Sequence, residues 1–358
     1  MTIRVFDPSL GFLSELDDFE TLVITRRYLG IETAELLIRA DALHAETLAV
    51  HHLLHMSDHK VFEILHRTLT QEDKPLLRVT GYGFGKTLAK RITLPPTGLA
   101  YDTASGSPDA VVKAYLDHHL IHPSDPDRTV PYLACRANQA GDSITDQSRY
   151  KNLLDEVVRV LTAAGRGFYF ALDGGTIWFD TYPGRDLTAT NTDGNPPALF
   201  SAVYDNILDQ TFTESLTDAQ TKVYVAGQGE GALRTVVEAG TGSGHARFEA
   251  FGDARDTDDT AELAYRGLSA IQTGVYTFEA RCNPFANLAY ETDFDAGDRV
   301  TVRAPLLGLS VDRRVTEVRE IYQAGYPRGI ELVFGDRIPT LQGALKTQKT
   351  RIDAVATA

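Results

Sequence analysis

"LLRVTGYGFGKTLAKRI", residues 76–92, decides what kind of fold this chain has. An apolar run leads into Gly81, Gly83 and Gly85, and Lys86-Thr87 then opens a helix-like segment. That is the outline of a phosphate-binding loop, but the spacing is wrong. Such a loop needs four residues between its first Gly and the Gly-Lys-Ser/Thr, so that backbone N–H groups curl around phosphate. Here Gly81 and Gly85 are separated by three, and position 80 is Thr. The other half of a nucleotide site would be an Asp at the end of an apolar run, and "GFYFALD", 167–173, supplies one. Asp173, however, opens Asp173-Gly174-Gly175, a hairpin signal, and no βαβ rhythm surrounds either segment. Lys86 reads as a surface lysine.

The glycines have a second copy. Val79-Thr-Gly81-Tyr-Gly83-Phe-Gly85 is echoed by Val225-Ala-Gly227-Gln-Gly229-Glu-Gly231, and the two lead towards Arg91 and Arg234. The second copy lacks Lys-Thr, so a glycine bend between strands is the shared element, and the pair points to two related β domains. Around the first copy, "TLVITRRYL", "AELLIRA" and "KVFEILHRTL" are short, β-branched or aromatic runs between polar turns, the pattern of antiparallel strands. From 107 the period changes. "SPDAVVKAYLDHHLIHP" has Ser107 as N-cap, Pro108 at the first helical position and Pro123 as a stop. "DQSRYKNLLDEVVRVLTAAG" puts Tyr150, Leu153, Leu154, Val157, Val158 and Leu161 on one helical face closed by Gly165. "TATNTDGNPPA", 188–198, marks a boundary. "GTGSGHARFEAFGDARDTDDTAE" reads as a flexible acidic link into a short helix, and β runs return from about 297 to 335.

At 358 residues two or more domains are expected. The net charge of −14 argues against wrapping a nucleic-acid backbone, which calls for clustered Lys and Arg. Cys135 and Cys282 are the only cysteines, so no disulfide framework is expected and cytosolic assembly is. The first residues show no apolar signal-peptide region, and no apolar run approaches membrane-spanning length.

Candidate chemistry is sparse. His51 and His55 are four apart, as in a helical metal pair, yet "MSDHK" reads as a turn between strands, which would separate them. His118 and His122 fall in the last turns of a helix, where histidine complements the helix dipole without metal. Ser243 in "GTGSGH" does not match Gly-x-Ser-x-Gly, because position 241 is Thr. Neither Cys carries a nucleophile signature. The carboxylates of "ELDDFE", "DARDTDD" and "ETDFDAGD" are too numerous for proximity to mean catalysis, and Trp178 reads as a packing residue. No catalytic, cofactor-binding or metal-ligating residue is expected, and the chain is not read as an enzyme.

The order of segments nevertheless has a counterpart. "IRVFDPSLGFLSELDDFETLVITRRYLGIETAELLI", "LRVTGYGFGKTLAKRI", "QSRYKNLLDEVVRVL", "GRDLT", "FSAVYDNILDQTFTES", "KVYVAGQGEGALR" and "YETDFDAGDRVTVR" follow one another as they do in the tail hub family of long-tailed bacteriophages. The chain resembles that family, which is akin to baseplate hubs and to the N-terminal region of tail-associated proteins. The resemblance implies an α+β, mainly β fold: two β-barrel-like tube domains with smaller α/β domains inserted or attached. It places the first tube domain at 1–100 and a peripheral α/β domain at 101–190. The second tube domain falls at 195–240 and 285–340, around a small inserted domain at 241–284, with a tail at 341–358.

The resemblance also implies a homotrimeric ring at the distal end of a virion tail, assembled in the host cytoplasm. Three chains with two tube domains each present six similar units, which adapts a six-fold tube to a three-fold tip. Partners would be the distal tail protein, the tail tube or tape-measure protein, and tip or fibre proteins. DNA would pass through the lumen without sequence-specific binding, and no stable membrane insertion is expected. No cofactor is implied. The alternatives are a tail-associated cell-wall hydrolase and a carbohydrate-binding tail component. An acidic lumen wall would repel the DNA backbone within about one Debye length, roughly 8 Å, so part of the −14 is expected to face the passage.

Overall fold

Alternation of inward apolar and outward polar side chains turns the first 82 residues into seven antiparallel strands in the computed structural model. The structure describes residues 1–71, 74–255, 257–272 and 274–335. The strands are β1 (Ile3–Phe6), β2 (Phe12–Leu16), β3 (Thr21–Arg27), β4 (Thr33–Arg39), β5 (Leu53–Ser57), β6 (Lys60–Thr70) and β7 (Leu76–Tyr82). Their order in the sheet is β2-β1-β5-β6-β7-β4-β3. One face of all seven meets in a common core, with Ile3, Leu16, Ile24, Leu36, Leu54, Phe62 and Val79 among its residues. No pairing joins β2 back to β3 among the described residues, so the sheet is open.

The next stretch packs on the sheet's other face. It runs through α1 (Gly85–Ala89), β8 (Asp102–Gly106), α2 (Pro108–Leu116), β9 (Leu133–Cys135), β10 (Ile144–Ser148), α3 (Leu153–Ala163), β11 (Gly167–Asp173) and β12 (Thr176–Tyr182). Leu53, Val61, Phe84 and Leu88 share a second core with Val112, Leu116, Val157, Leu161, Phe170 and Phe179. The caps act where the sequence places them. Ser107 Oγ accepts the Ala110 N–H, and Pro108 begins α2. The β11–β12 turn closes through Gly174 and Gly175, both at positive φ (58° and 76°), the backbone that a two-residue hairpin turn demands. Two local expectations change. α2 ends in a wider π turn, Asp117–Ile121. Tyr150 is not on the α3 face: Asn152 Oδ1 accepts from Leu154 and Asp155 N–H and starts the helix there, leaving Tyr150 exposed at φ 52°.

The stretch 188–198 is a loop. β13 (Asp186–Leu187) and β14 (Leu199–Phe200) flank it, and each pairs in parallel with β20 (Arg299–Ala304). Between them and β20 the chain leaves through β15 (Ile207–Ser215). It forms β16 (Lys222–Ala226), β17 (Val236–Gly240), β18 (Glu249–Asp253) and α4 (Thr260–Ala270), and returns through β19 (Val275–Cys282). The expected acidic link thus contains a strand: β18 pairs in parallel with β16, whose other edge holds β17. Val223 and Val225 bury there against Leu263 of α4.

After β20 come β21 (Leu309–Gln323) and β22 (Gly329–Gly335). β21 serves two neighbours in succession. Its first half pairs with β20, Arg314 opposite Arg299; its second half pairs with β3, Glu317 opposite Arg27 through Gln323 opposite Thr21. The fold is therefore mainly β, with two compact units: residues 1–210 with 280–333, and 211–279 with 334–335. The segments expected at 195–240 and 241–284 are crossed by the sheet of β16, β17 and β18, which draws strands from both. Positions 336–340 and the tail 341–358 lie outside the described residues. No described helix is long and apolar enough to cross a membrane.

Candidate assembly site

The glycine motif is a packing device. Gly81 lies where β7 crosses Phe62, and a Cβ there would sit 2.9 Å from the Phe62 Cβ. Gly85 is pressed against the Gly30 carbonyl, 3.1 Å from where its Cβ would be. The Lys86 and Thr87 amides donate to Gly83 and Phe84 carbonyls, so they are not turned towards an anion. Lys86 rests over the Tyr82 ring. In the second copy Gly229 and Gly231 take positive φ, whereas none of Gly81, Gly83 and Gly85 does. The copies share sequence but not conformation: the first ends in α1, the second in a short 3-10 turn.

The other candidates are dispersed. His51 Nδ1 lies 2.7 Å from Glu63 Oε1, while His55 is half-buried against Phe6 with its pKa lowered by burial. His122 pairs with Asp117, and His118 instead meets the buried Asp102 at 2.9 Å. His119 Nε2 is also 2.9 Å from that carboxylate, but off the hydrogen-bond direction, so this contact is electrostatic. Burial pushes Asp102 up, and the His118 and His119 contacts overcome it, bringing its pKa down to about 2. The Asp102 hydrogen bond raises His118 against the opposing pull of burial. Trp178 lies under the Arg136 guanidinium, 4.4 Å away, which also holds Asp173. Burial pushes both Cys135 and Cys282 up to about 12. Among the described residues no group of three His, Cys, Asp or Glu could hold a metal ion.

What the structure does assemble is a buried ionic clasp made from the two ends of the chain. Glu320, with no solvent exposure, accepts from Lys60 at 2.8 Å, Tyr322 at 2.7 Å and Arg328 at 2.7 Å. Glu291 lies across from it, 2.7 Å from Lys60 and 2.9 Å from Arg328. Burial raises the Glu291 carboxyl, and these two cations more than offset it, so its pKa is lowered. Beside it Arg26 donates to Tyr290 and Asp295, both at 3.1 Å, and Arg27 pairs with Glu317 at 2.8 Å. Asp298 binds Arg185 at 2.6 Å. The carboxylates of "ETDFDAGD" are thus structural anchors. Sequence reading missed Lys60, Glu320, Arg26 and Arg328; the one available signal was that dense acidic run.

The chain is a mainly β framework tied together by buried ion pairs, and comparison with known proteins identifies it as a bacteriophage tail structural protein. The chain belongs to the siphovirus ReqiPepy6 Gp37-like protein family, whose model matches residues 2–336. None of the curated proteins matches it. Solved tail proteins share the fold at low identity. Prophage tail protein gp18 from Listeria monocytogenes EGD-e matches with TM-score 0.58 and 10% identity over 99% of this chain and 100% of that one. A prophage MuSo2 43 kDa tail protein from Shewanella oneidensis gives 0.53 and 10% over 93% and 97%. A tail protein from Neisseria meningitidis MC58 gives 0.52 and 14% over 93% and 96%.

Proposed function

We propose that this chain is the hub of a phage tail tip or baseplate: a homotrimeric ring at the distal end of the tail, assembled in the host cytoplasm. The ring joins the six-fold tail tube and distal tail protein to three-fold tip or fibre proteins, with the tape-measure protein as a further neighbour. The observation that carries this reading is the family match from residue 2 to 336, one span that takes in both compact units. In the proposed division, 1–100 is the first tube domain, and the core that its seven strands share on one face supports a barrel-like role. Residues 101–190 form the peripheral α/β domain. The second tube domain is built on β14, β20, β21 and β22, and the small inserted domain, expected at 241–284, is drawn at 211–279, the long segment of the second compact unit. The role is structural, without catalysis or cofactor. DNA passes through the lumen, and part of the −14 excess lines it.

The open sheet offers the contacts a ring would use. Edge strand β2 exposes Phe12 and Leu13, and the β20–β21 tip exposes Leu306 and Leu307. Apolar edges and tips of this kind are covered in assemblies. Mass photometry of the purified chain, with reconstruction of tail particles, tests the reading. A trimer located at the distal tip is expected; a monomer with no place in the particle refutes it. A potential calculated on the assembled ring tests the lumen separately, and a net positive passage refutes the charge assignment alone.

A further inference from the structure

In a chain of net charge −14, many basic side chains of the first unit are held by carboxylates, Arg26, Lys60 and Arg185 among them, and others, among the described residues, are not. Lys86, Lys90, Arg91, Arg128, Arg149 and Lys151 form no ion pair, and they belong to segments that the backbone brings side by side. Residues 91–93 run antiparallel to 150–153: the Leu153 N–H donates to the Arg91 carbonyl at 2.9 Å, and Thr93 N–H to Lys151 O at 2.8 Å. Ile92 bridges Asn152, and Arg128 Nη2 donates to Ile92 O at 2.7 Å. Lys86 stands one helical turn before Lys90. Burial, and then the like charge of Arg91, lower the Arg128 pKa against the weaker opposing pull of Asp125. Arg149 covers the exposed ring of Tyr150.

This patch borders a cleft of about 600 Å³. Its apolar floor is Leu10, Leu53, Phe84, Val130 and Ile177, and Lys90 and Arg91 line it. Glu63, the single carboxylate among the lining residues, is engaged by His51. We propose that the cleft and its cationic border dock an acidic peptide segment of another protein, which places an aromatic or large aliphatic side chain in the cleft and its flanking carboxylates on Lys90, Arg91 and their neighbours. Charge complementarity selects an acidic partner, and the cleft decides which kind. Duplex phosphates would engage the cations and leave the apolar floor empty, whereas a peptide anchor fills it. The inference goes beyond the hub reading, because the cleft belongs to a single chain and accepts the segment with or without a ring.

The test is fluorescence anisotropy on the full chain. The probe is a labelled peptide of alternating Glu and Asp around one central Phe, with a control peptide in which that Phe is Ser. Saturable binding to the Phe peptide is expected, weakening as salt rises. The Ser control should bind at least about 10-fold more weakly, the range for losing a buried aromatic anchor. Lys90→Glu with Arg91→Glu should weaken binding about 10-fold or more, two reversed contacts at the strength of exposed ion pairs. Arg149→Glu with Lys151→Glu, on exposed positions across the patch, gives an independent loss should the first pair disturb folding. Absence of saturable binding up to about 1 mM, the weak end of specific association, overturns the proposal. So does equal binding of the Ser control, or a short DNA duplex that binds the patch more tightly than the peptide.

Discussion

Glu320→Gln is the sharpest perturbation of the clasp. The glutamine keeps the shape and removes the charge from a site with no solvent exposure, where Lys60, Tyr322 and Arg328 all donate to one carboxylate. Breaking a buried ion pair by neutralising one partner costs about 3–5 kcal/mol. The lower end applies, because Glu291 stays beside both Lys60 and Arg328, so about 3 kcal/mol is expected. That corresponds to roughly 6–12 °C in Tm for a domain of this size, with the lower figure suited to the larger unit. Lys60→Met should cost a similar amount, since it strands Glu320 with one cation fewer. The double variant Lys60→Met with Glu320→Leu removes both charges and should cost less than the two singles together, by about 1.5 kcal/mol or more. Urea unfolding followed by fluorescence of Trp178, the only tryptophan and part of the same unit, reads all three. A Glu320→Gln cost below about 1 kcal/mol, or strict additivity, would show that water screens the site and refute a dry clasp.

Three further outcomes are expected. The raised His118 pKa contributes stability that is full below the unfolded value near 6.5 and lost as pH rises through the folded value. The lowered Asp102 contributes stability present above about 4 and lost as pH falls towards about 2. Protection from hydrogen exchange across 102–122, corrected for the intrinsic pH dependence of amide exchange, should therefore be greatest between those limits, and His118→Gln should abolish its loss on the alkaline side. Gly167→Ala puts a Cβ 2.5 Å from the Tyr28 carbonyl oxygen, so it should cost about 3 kcal/mol, the upper range for overpacking; an unchanged urea midpoint would contradict that contact. With both thiols pushed up to about 12, the thiolate fraction at pH 8 falls about 1,000-fold below that of a thiol of pKa 9, and Ellman's reagent should react fast only in urea.

Legibility followed distance along the chain. Ser107-Pro108 and Asp173-Gly174-Gly175 were readable because cap and turn chemistry is local, and the β5–β6 turn at Asp58-His59, inside "MSDHK", was readable for the same reason. Asn152 was readable in principle but was outweighed by the apolar period that drew Tyr150 into the helix. β18 was hidden because "FEAFGD" is short and lies in acidic surroundings; its reason for being a strand is β16, more than twenty residues earlier. The clasp was out of reach altogether. Lys60 and Glu320 are separated by 260 residues, and nothing near either residue announces a partner. The repeated glycines mislead for a related reason: similar text ends in α1 in one place and in a 3-10 turn in the other, because Phe62 and Gly30 crowd only the first.

β21 gives the protein a schedule as well as a shape. Arg27 and Glu317, which face each other where β3 meets β21, are 290 residues apart. At a synthesis rate of about 5–20 residues per second, the free side of β3 waits roughly 15–60 s for its partner to leave the ribosome. During that interval "TLVITRR" presents an unpaired, apolar edge of the kind that recruits other chains. The nascent chain is therefore most exposed to misassembly while β3 waits, and the window closes only when β21 emerges.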